Sequence, residues 1–263
     1  MNDFNPRLNT GEYLVELLRN GLKLIQSRQG YCFTMDAVLL AFFVTIKPQI
    51  RVADLGTGSG VIPLLLTTRT EGLSLVGFEL QEELADRAWR SVQLNGLEKQ
   101  IWIQKGDLRR ISEYYVPETF EVVVCNPPYW PLGHGKMSPR AEVALAKVEI
   151  TCTLTEVVQA GQWLLSPGGI LALVHLWERR EEVVMTLHKY GMKLYRWREV
   201  KHNQKMAPSL ILVEAIKSTP ESAAEINTPG AIDWEMDLKK MEPLVIYDLH
   251  GQFLPEVAAI YYG

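Results

Sequence analysis

Four consecutive residues carry the most specific chemistry in this chain: Asn126, Pro127, Pro128 and Tyr129. They follow the apolar run Val122 to Cys125, which reads as a short strand buried on both faces. Proline lacks an N–H and has a fixed φ, so the chain must leave the sheet at Pro127 as a stiff loop. That loop falls at the C-terminal edge of the sheet, where open α/β sheets bind ligands. An amide oxygen and a carbonyl with no donor beside it can accept the two hydrogens of an amine, and an aromatic ring can lie flat against the planar group that bears it. A strand followed by a proline-rich turn is the plain alternative, so the surroundings decide.

The surroundings supply a second cluster. Asp54, Gly56, Thr57, Gly58 and Gly60 stand between the strand-like RVADL and the helix-like VIPLLL. Glycines there permit tight turns and let a ligand approach the backbone closely. Glu79 ends the next strand, 19 residues beyond Gly60, where nucleotide-binding folds place an acid that accepts from ribose hydroxyls, and Asp107 ends the strand after that. A dinucleotide fingerprint needs a third glycine at position 61, but Val61 stands there and Gly60 comes one residue early. The spacing resembles the first motif of class I S-adenosylmethionine methyltransferases, whose cofactor has ribose hydroxyls and no pyrophosphate. The resemblance implies S-adenosylmethionine in preference to NAD, with S-adenosylhomocysteine as the product left behind.

With such a donor the amine site acquires a purpose. The lone pair of a purine's exocyclic amine is delocalised into the ring, which makes it a poor nucleophile. If the Asn126 side-chain oxygen and the Pro127 carbonyl accept its two hydrogens, the nitrogen is drawn towards tetrahedral geometry and its lone pair is aimed. Tyr129 would stack on the base and fix its plane, as enzymes that act on extruded bases do. Catalysis is then mostly positioning. No nucleophilic side chain and no metal is required, and the 5 histidines and 3 cysteines show no ligand spacing.

The elements that must hold these residues follow from periodicity. From Arg51 onward strands alternate with helices of ordinary length: RVADL, LSLVGFEL, IWIQKGD, the Val122 run, ILALVHL, MKLYRWREVK and PSLILVEAIK are strands. The pattern predicts an α/β, Rossmann-like class I methyltransferase fold, a mainly parallel seven-stranded sheet with helices on both faces. A capping box from Thr153 to Glu156 opens a helix that breaks at SPGG. Residues 1–50 form an N-terminal arm packed on the core: a short helix within 11–20, a turn at Asn20-Gly21, the strand LKLIQ, and a helix from about Met35 to Ile46 with Thr34 as its cap. Residues 51–217 are the catalytic domain, and 218–263 are a linker and a small appendage.

Composition narrows the class. The net charge is -4, with residues 221–263 acidic and the body mildly basic, so there is no global case for nucleic-acid binding. Two local cases exist. Lys136 and Arg140 sit in the glycine-containing loop PLGHGKMSPR beside Tyr129, and residues 177–205 interleave 8 Lys or Arg with Trp177, Tyr190, Tyr195 and Trp197. Cys32, Cys125 and Cys152 read as reduced core thiols of a cytoplasmic protein, and neither a leader nor a membrane-spanning run is visible.

The segments FTMDAVLL, VADLGTGSG, GFEL, VVVCNPPYW and LVH occur in this order, bracketed by LRNGLKLIQ and IYDLHGQFLPE. This set resembles the bacterial valine tRNA adenine-N6 methyltransferases, which modify the adenosine 3′ of the anticodon. The resemblance implies cofactor contacts at Asp54, Gly56, Gly58, Glu79 and Asp107, and an amine and base site at Asn126, Pro127, Pro128 and Tyr129. It places Thr34 and Asp36 in an N-terminal motif on the cofactor side. It also implies tRNA as the partner of a monomer. Two alternatives stay open: an NPPY-type methyltransferase acting on rRNA guanine N2 or protein glutamine, and a non-catalytic subunit that binds the cofactor or RNA.

Overall fold

The computed structural model describes residues 8–17, 21–30, 32–129, 152–218 and 239–262. The main sheet is built from β3 (Arg51–Leu55), β4 (Ser74–Glu79), β5 (Ile101–Lys105), β6 (Phe120–Cys125), β7 (Leu165–Leu176), β8 (Met192–Lys201) and β9 (Pro208–Lys217). The two-residue strands β10 (Lys239–Lys240) and β11 (Leu244–Val245) extend it along β8. The seven long strands lie in the order β8-β9-β7-β6-β3-β4-β5. All pairings among them are parallel except the two made by β9, which runs antiparallel to β7 and β8.

Alternate side chains of each strand serve opposite layers. Val52, Val122, Val124 and Val174 join a cluster with α1 (Met35–Phe43), α2 (Val61–Thr67) and Val92 of α3 (Glu82–Leu94). Ala53, Leu55, Val123 and Leu173 join the other, with α4 (Leu154–Leu164) and α5 (Arg180–Lys189). The expected capping box is present: Thr153 accepts from the Glu156 N–H, and the Glu156 carboxylate accepts from the Thr153 N–H. SPGG ends the helix as expected, but it is part of β7. Ladder pairing jumps from Leu165 to Ile170, and Gly168 takes φ 77°.

The arm differs from expectation at its start. Glu12–Leu17 is not helical; it is strand β1, antiparallel to β2 (Leu22–Ser27). Asn20 lies outside the described residues. Tyr13, Val15 and Leu17 alternate with Glu12, Leu14 and Glu16, a period of two that six residues can satisfy as easily as a helix, and the partner strand decides between them. The hairpin is fastened to α3. Ile25 N–H donates to Ser91 Oγ, Lys23 N–H donates to Asn95 Oδ1, and Glu12 receives two bonds from Arg90.

Helix α1 is shorter than expected and ends at Phe43, well before Pro48. Two arginines explain the stop. Arg69 donates to the carbonyls of Ala41 and Val44, and Arg196 to that of Phe43. Thr34 stands at the cap position with extended backbone, but its side chain makes no capping bond. The C-terminal segment closes over α1 with helix α6 (Pro255–Tyr262), whose Val257 is fully buried in the same cluster.

Candidate active site

At the centre of the sheet β3 and β6 are neighbours, and from that pair the strand order runs outwards in both directions. Such a switch point leaves a crevice beyond the strand ends, because the connections depart to opposite faces. Both sequence motifs arrive there. Leu55 pairs with Cys125, whose thiol lies 3.0 Å from the Leu55 carbonyl. Gly56, Gly58, Glu79, Asp107, Asn126, Pro127 and Pro128 line the crevice, with Phe78 and Leu108 among its apolar walls.

On the β3 side the loop is shaped by glycine conformation. Gly56, Gly58 and Gly60 have φ of 73°, 58° and 87°, in the left-handed region that side chains disfavour. A Cβ on Gly56 would meet nothing within 4 Å, so the crevice is open in front of it. Glu79 braces this loop: one carboxylate oxygen accepts the Gly58 N–H at 2.9 Å and the other the Gln81 N–H at 2.8 Å. Asp54, Thr57 and Gly60 are not on the crevice wall. They lie behind it, with Asp54 only 1% exposed.

Neither Asp54 oxygen nor the Thr57 hydroxyl has a hydrogen-bond partner. Burial pushes the Asp54 carboxyl up to about 7, and the charge of Glu79 adds to the shift. The Thr57 hydroxyl opposes it from outside good hydrogen-bonding geometry. Unsatisfied buried polar atoms beneath an open glycine cradle suit a polar ligand that completes their bonding. Asp107 lines the crevice, but its carboxylate is engaged by its own chain. It caps the 3-10 turn Leu108–Glu113 and receives the Arg109 side chain, whose guanidinium holds it below the usual carboxylate range.

On the β6 side Tyr129 is held from several directions. Its hydroxyl lies 2.7 Å from Asn126 Oδ1 and 2.9 Å from Asp36 Oδ2, while its carbonyl accepts from Arg179 at 2.7 Å. Its ring sits 5.4 Å from His175, which is fully buried. His175 Nδ1 accepts the Leu176 N–H, and Nε2 has no partner. Burial pushes this imidazole down to about 4, with the Arg179 charge in the same direction, so it is a neutral floor beneath Tyr129. Asp36 therefore meets Tyr129 and does not line the crevice; Thr34, exposed at the helix cap, does not line it either. Lys136 and Arg140 lie outside the described residues.

Several participants escaped the sequence reading. Gly77, inside β4, leaves room for Thr57: a Cβ there would fall 2.8 Å from the Thr57 side chain. A glycine within an apolar strand is a signal of close approach that was available. Gln26 of β2 donates to Ser59 Oγ at 2.7 Å and ties the hairpin to the glycine loop. Arg179 and His175 carry no local signal of their contact with Tyr129.

Two expectations need correction. Cys32 is exposed and not a core thiol, because it falls between the hairpin and α1; Cys125 and Cys152 are buried. The aromatics of residues 177–205 are largely core. Trp197 is buried and stacks on Trp177 at 5.6 Å, and the neighbouring arginines are paired: Arg180 with Glu181, Arg196 with Glu214 and Arg198 with Glu256. Among the described residues no cluster of His, Cys, Asp or Glu could hold a metal ion, and no helix is long and apolar enough to cross a membrane.

Sheet order, the single reversed strand and a crevice at the β3/β6 switch point define a Rossmann-like class I methyltransferase fold. Solved structures agree. A protein described as a predicted O-methyltransferase from Agrobacterium tumefaciens superposes with a TM-score of 0.65 over 86% of this chain and 95% of its own, at 21% identity. An S-adenosylmethionine-dependent methyltransferase from Aquifex aeolicus gives 0.51 over 69% of this chain and 89% of its own, at 18% identity. A family model described as RNA methyltransferase matches residues 22–188, and the chain belongs to that family. A curated relative from Photobacterium profundum, 28% identical over 74% of this chain and 82% of its own length, is a tRNA1(Val) (adenine(37)-N6)-methyltransferase.

Proposed function

We propose that this protein transfers a methyl group from S-adenosylmethionine to the exocyclic N6 amine of an adenosine in tRNA, the adenosine 3′ of the valine anticodon being the first candidate. One observation carries the reading. The Asn126–Pro128 loop and the Gly56–Gly58 loop line one crevice from adjacent strands, so amine acceptors and a nucleotide cradle share a wall. The name of the relative from Photobacterium profundum supports adenine and tRNA as the substrate.

When bound, S-adenosylmethionine supplies an electrophilic methyl group. Gly56, Gly58, Glu79 and Asp107 would hold it, with Asp54 and Thr57 behind. The rest of the chemistry belongs to the chain. Asn126 Oδ1 and the Pro127 carbonyl accept the amine hydrogens and aim its lone pair, and Tyr129 fixes the plane of the base over His175. These groups act by orientation, which alone can account for a large part of a rate enhancement. Lys136 and Arg140 would contact phosphates near the target, and a tRNA substrate places the enzyme in the cytoplasm.

Incubation with methyl-labelled donor and unmodified bulk tRNA, followed by digestion to nucleosides, tests the proposal. Label in N6-methyladenosine is the expected result. Label in guanosine or in protein would favour the other NPPY-type enzymes, and no transfer would favour a binding subunit. Charge reversal at Lys136 and Arg140 should weaken tRNA binding at moderate salt; unchanged affinity removes that loop from the interface.

A further inference from the structure

We propose that Asp36 is a positioning residue for the amine site: acting through the Tyr129 hydroxyl, it turns the Asn126 amide so that the amide oxygen is presented to the target amine. The inference rests on the amine site proposed above.

A phenol hydroxyl has one proton. Tyr129 has two oxygen atoms within bonding distance, Asp36 Oδ2 at 2.9 Å and Asn126 Oδ1 at 2.7 Å, and cannot donate to both. A carboxylate is the stronger acceptor, because charge assistance roughly doubles the strength of such a bond. With the proton directed to Asp36, two bare oxygen atoms would face each other at 2.7 Å, which is repulsive. The two ends of an asparagine amide are nearly equal in size, and a half-turn of the side chain removes the conflict. Nδ2–H then donates to Tyr129 Oη, and Oη–H donates to Asp36. Every proton has one acceptor, and Asn126 Oδ1 is released towards a target amine.

Without the Asp36 carboxylate the tyrosine proton has only Asn126 Oδ1 to go to, and it would occupy the acceptor that the substrate needs. The carboxylate is well placed for this steering because α1 is fixed at its other end. There the buried Glu214 accepts from Thr45 and from Arg196, while Arg69 holds the last carbonyls. Asp36 and Asn126 share no direct bond among those described, so an effect of one on the other must pass through Tyr129.

Two measurements on the full chain test this. In protein labelled with 15N-asparagine, the Asn126 side-chain NH2 resonances, assigned by their loss in Asn126→Asp, should move in Asp36→Ala and less in Asp36→Asn, which keeps an acceptor oxygen. In a Tyr129→Phe background Asp36→Ala should move them no further. In methyl transfer, Asp36→Ala should lower kcat about tenfold with KM for tRNA and the Kd of S-adenosylhomocysteine little changed, and Asp36→Asn should recover part of the loss. Tyr129→Phe combined with Asp36→Ala should be no slower than Tyr129→Phe alone. Asn126 resonances indifferent to Asp36, or losses that multiply in the double variant, would overturn the proposal. A wild-type chain that methylates no adenine would overturn the proposed function instead, and the amide resonances would still decide the role of Asp36.

Discussion

On the β3 side of the crevice the loop is held by neighbours in the adjacent strand and by its own backbone: Glu79 takes the Gly58 N–H, the Thr57 N–H donates to Phe78, and Gly77 makes room for Thr57. On the β6 side little is held locally. Tyr129 is positioned by α1 through Asp36 and by the segment after β7 through Arg179, with His175 of β7 beneath it. The difference teaches that a cradle can be preformed by backbone shape, whereas a site that must grip and release a base is assembled from side chains on several elements. The first should fail through fit and affinity, the second through rate.

Asn126→Ala tests the second half most severely. It should lower kcat by ~10²–10³-fold, the range for losing a preorganised polar contact to the reacting group, with S-adenosylhomocysteine affinity by calorimetry almost unchanged. Near-wild-type turnover would remove the amine site. Gly77→Ala tests the first half. Its Cβ would lie 2.8 Å from Thr57, an overpacking that should cost about 1–3 kcal/mol and weaken cofactor binding with little further effect on kcat at saturation. Thermal unfolding with and without S-adenosylhomocysteine would show whether fit is the property lost. Arg179→Ala removes the bond to the Tyr129 carbonyl and should lower kcat about tenfold without changing cofactor affinity. A change confined to affinity would erase the distinction between the two halves.

The smallest effect separates them by pH. Between the ordinary aspartate value of 3.8 and about 7, the unfolded chain has lost a proton that folded Asp54 keeps, so this group makes stability fall as pH rises through that window. Between about 4 and the ordinary histidine value of 6.5, the unfolded chain holds a proton that folded His175 lacks, so this group makes stability rise with pH. The two slopes oppose each other in wild type. Asp54→Asn should leave stability rising with pH, and His175→Gln should leave it falling. Urea midpoints of the ligand-free protein taken from acid to neutral pH measure both, and parallel curves for the two variants would contradict the assignment.

Much of the fold was legible because its signals are local. The last two long strands, Met192–Lys201 and Pro208–Lys217, have the bounds that their composition predicts, and the capping box from Thr153 to Glu156 needs only four residues to form. The β1 error has the same root. Six residues with two acidic positions fit either period, and only pairing with β2 settles the matter. The basic and aromatic stretch looked like an RNA surface because composition does not reveal which way a side chain points. In the folded chain Trp197 faces the core and Arg196 neutralises the buried Glu214.

For the site, residue types were enough to identify both halves: left-handed φ demands glycine, and leaving a sheet through two prolines exposes a carbonyl and an amide at its edge. These constraints are written in residues a few positions apart. Strand order was needed to bring the halves to one crevice, by pairing Leu55 with Cys125. The grip on Tyr129 was beyond any local pattern, because Asp36 lies 93 residues before it and Arg179 lies 50 residues after it. A hydrogen bond depends on distance and angle in space, and chain separation carries neither; the tertiary structure alone decided which groups compete for the tyrosine proton.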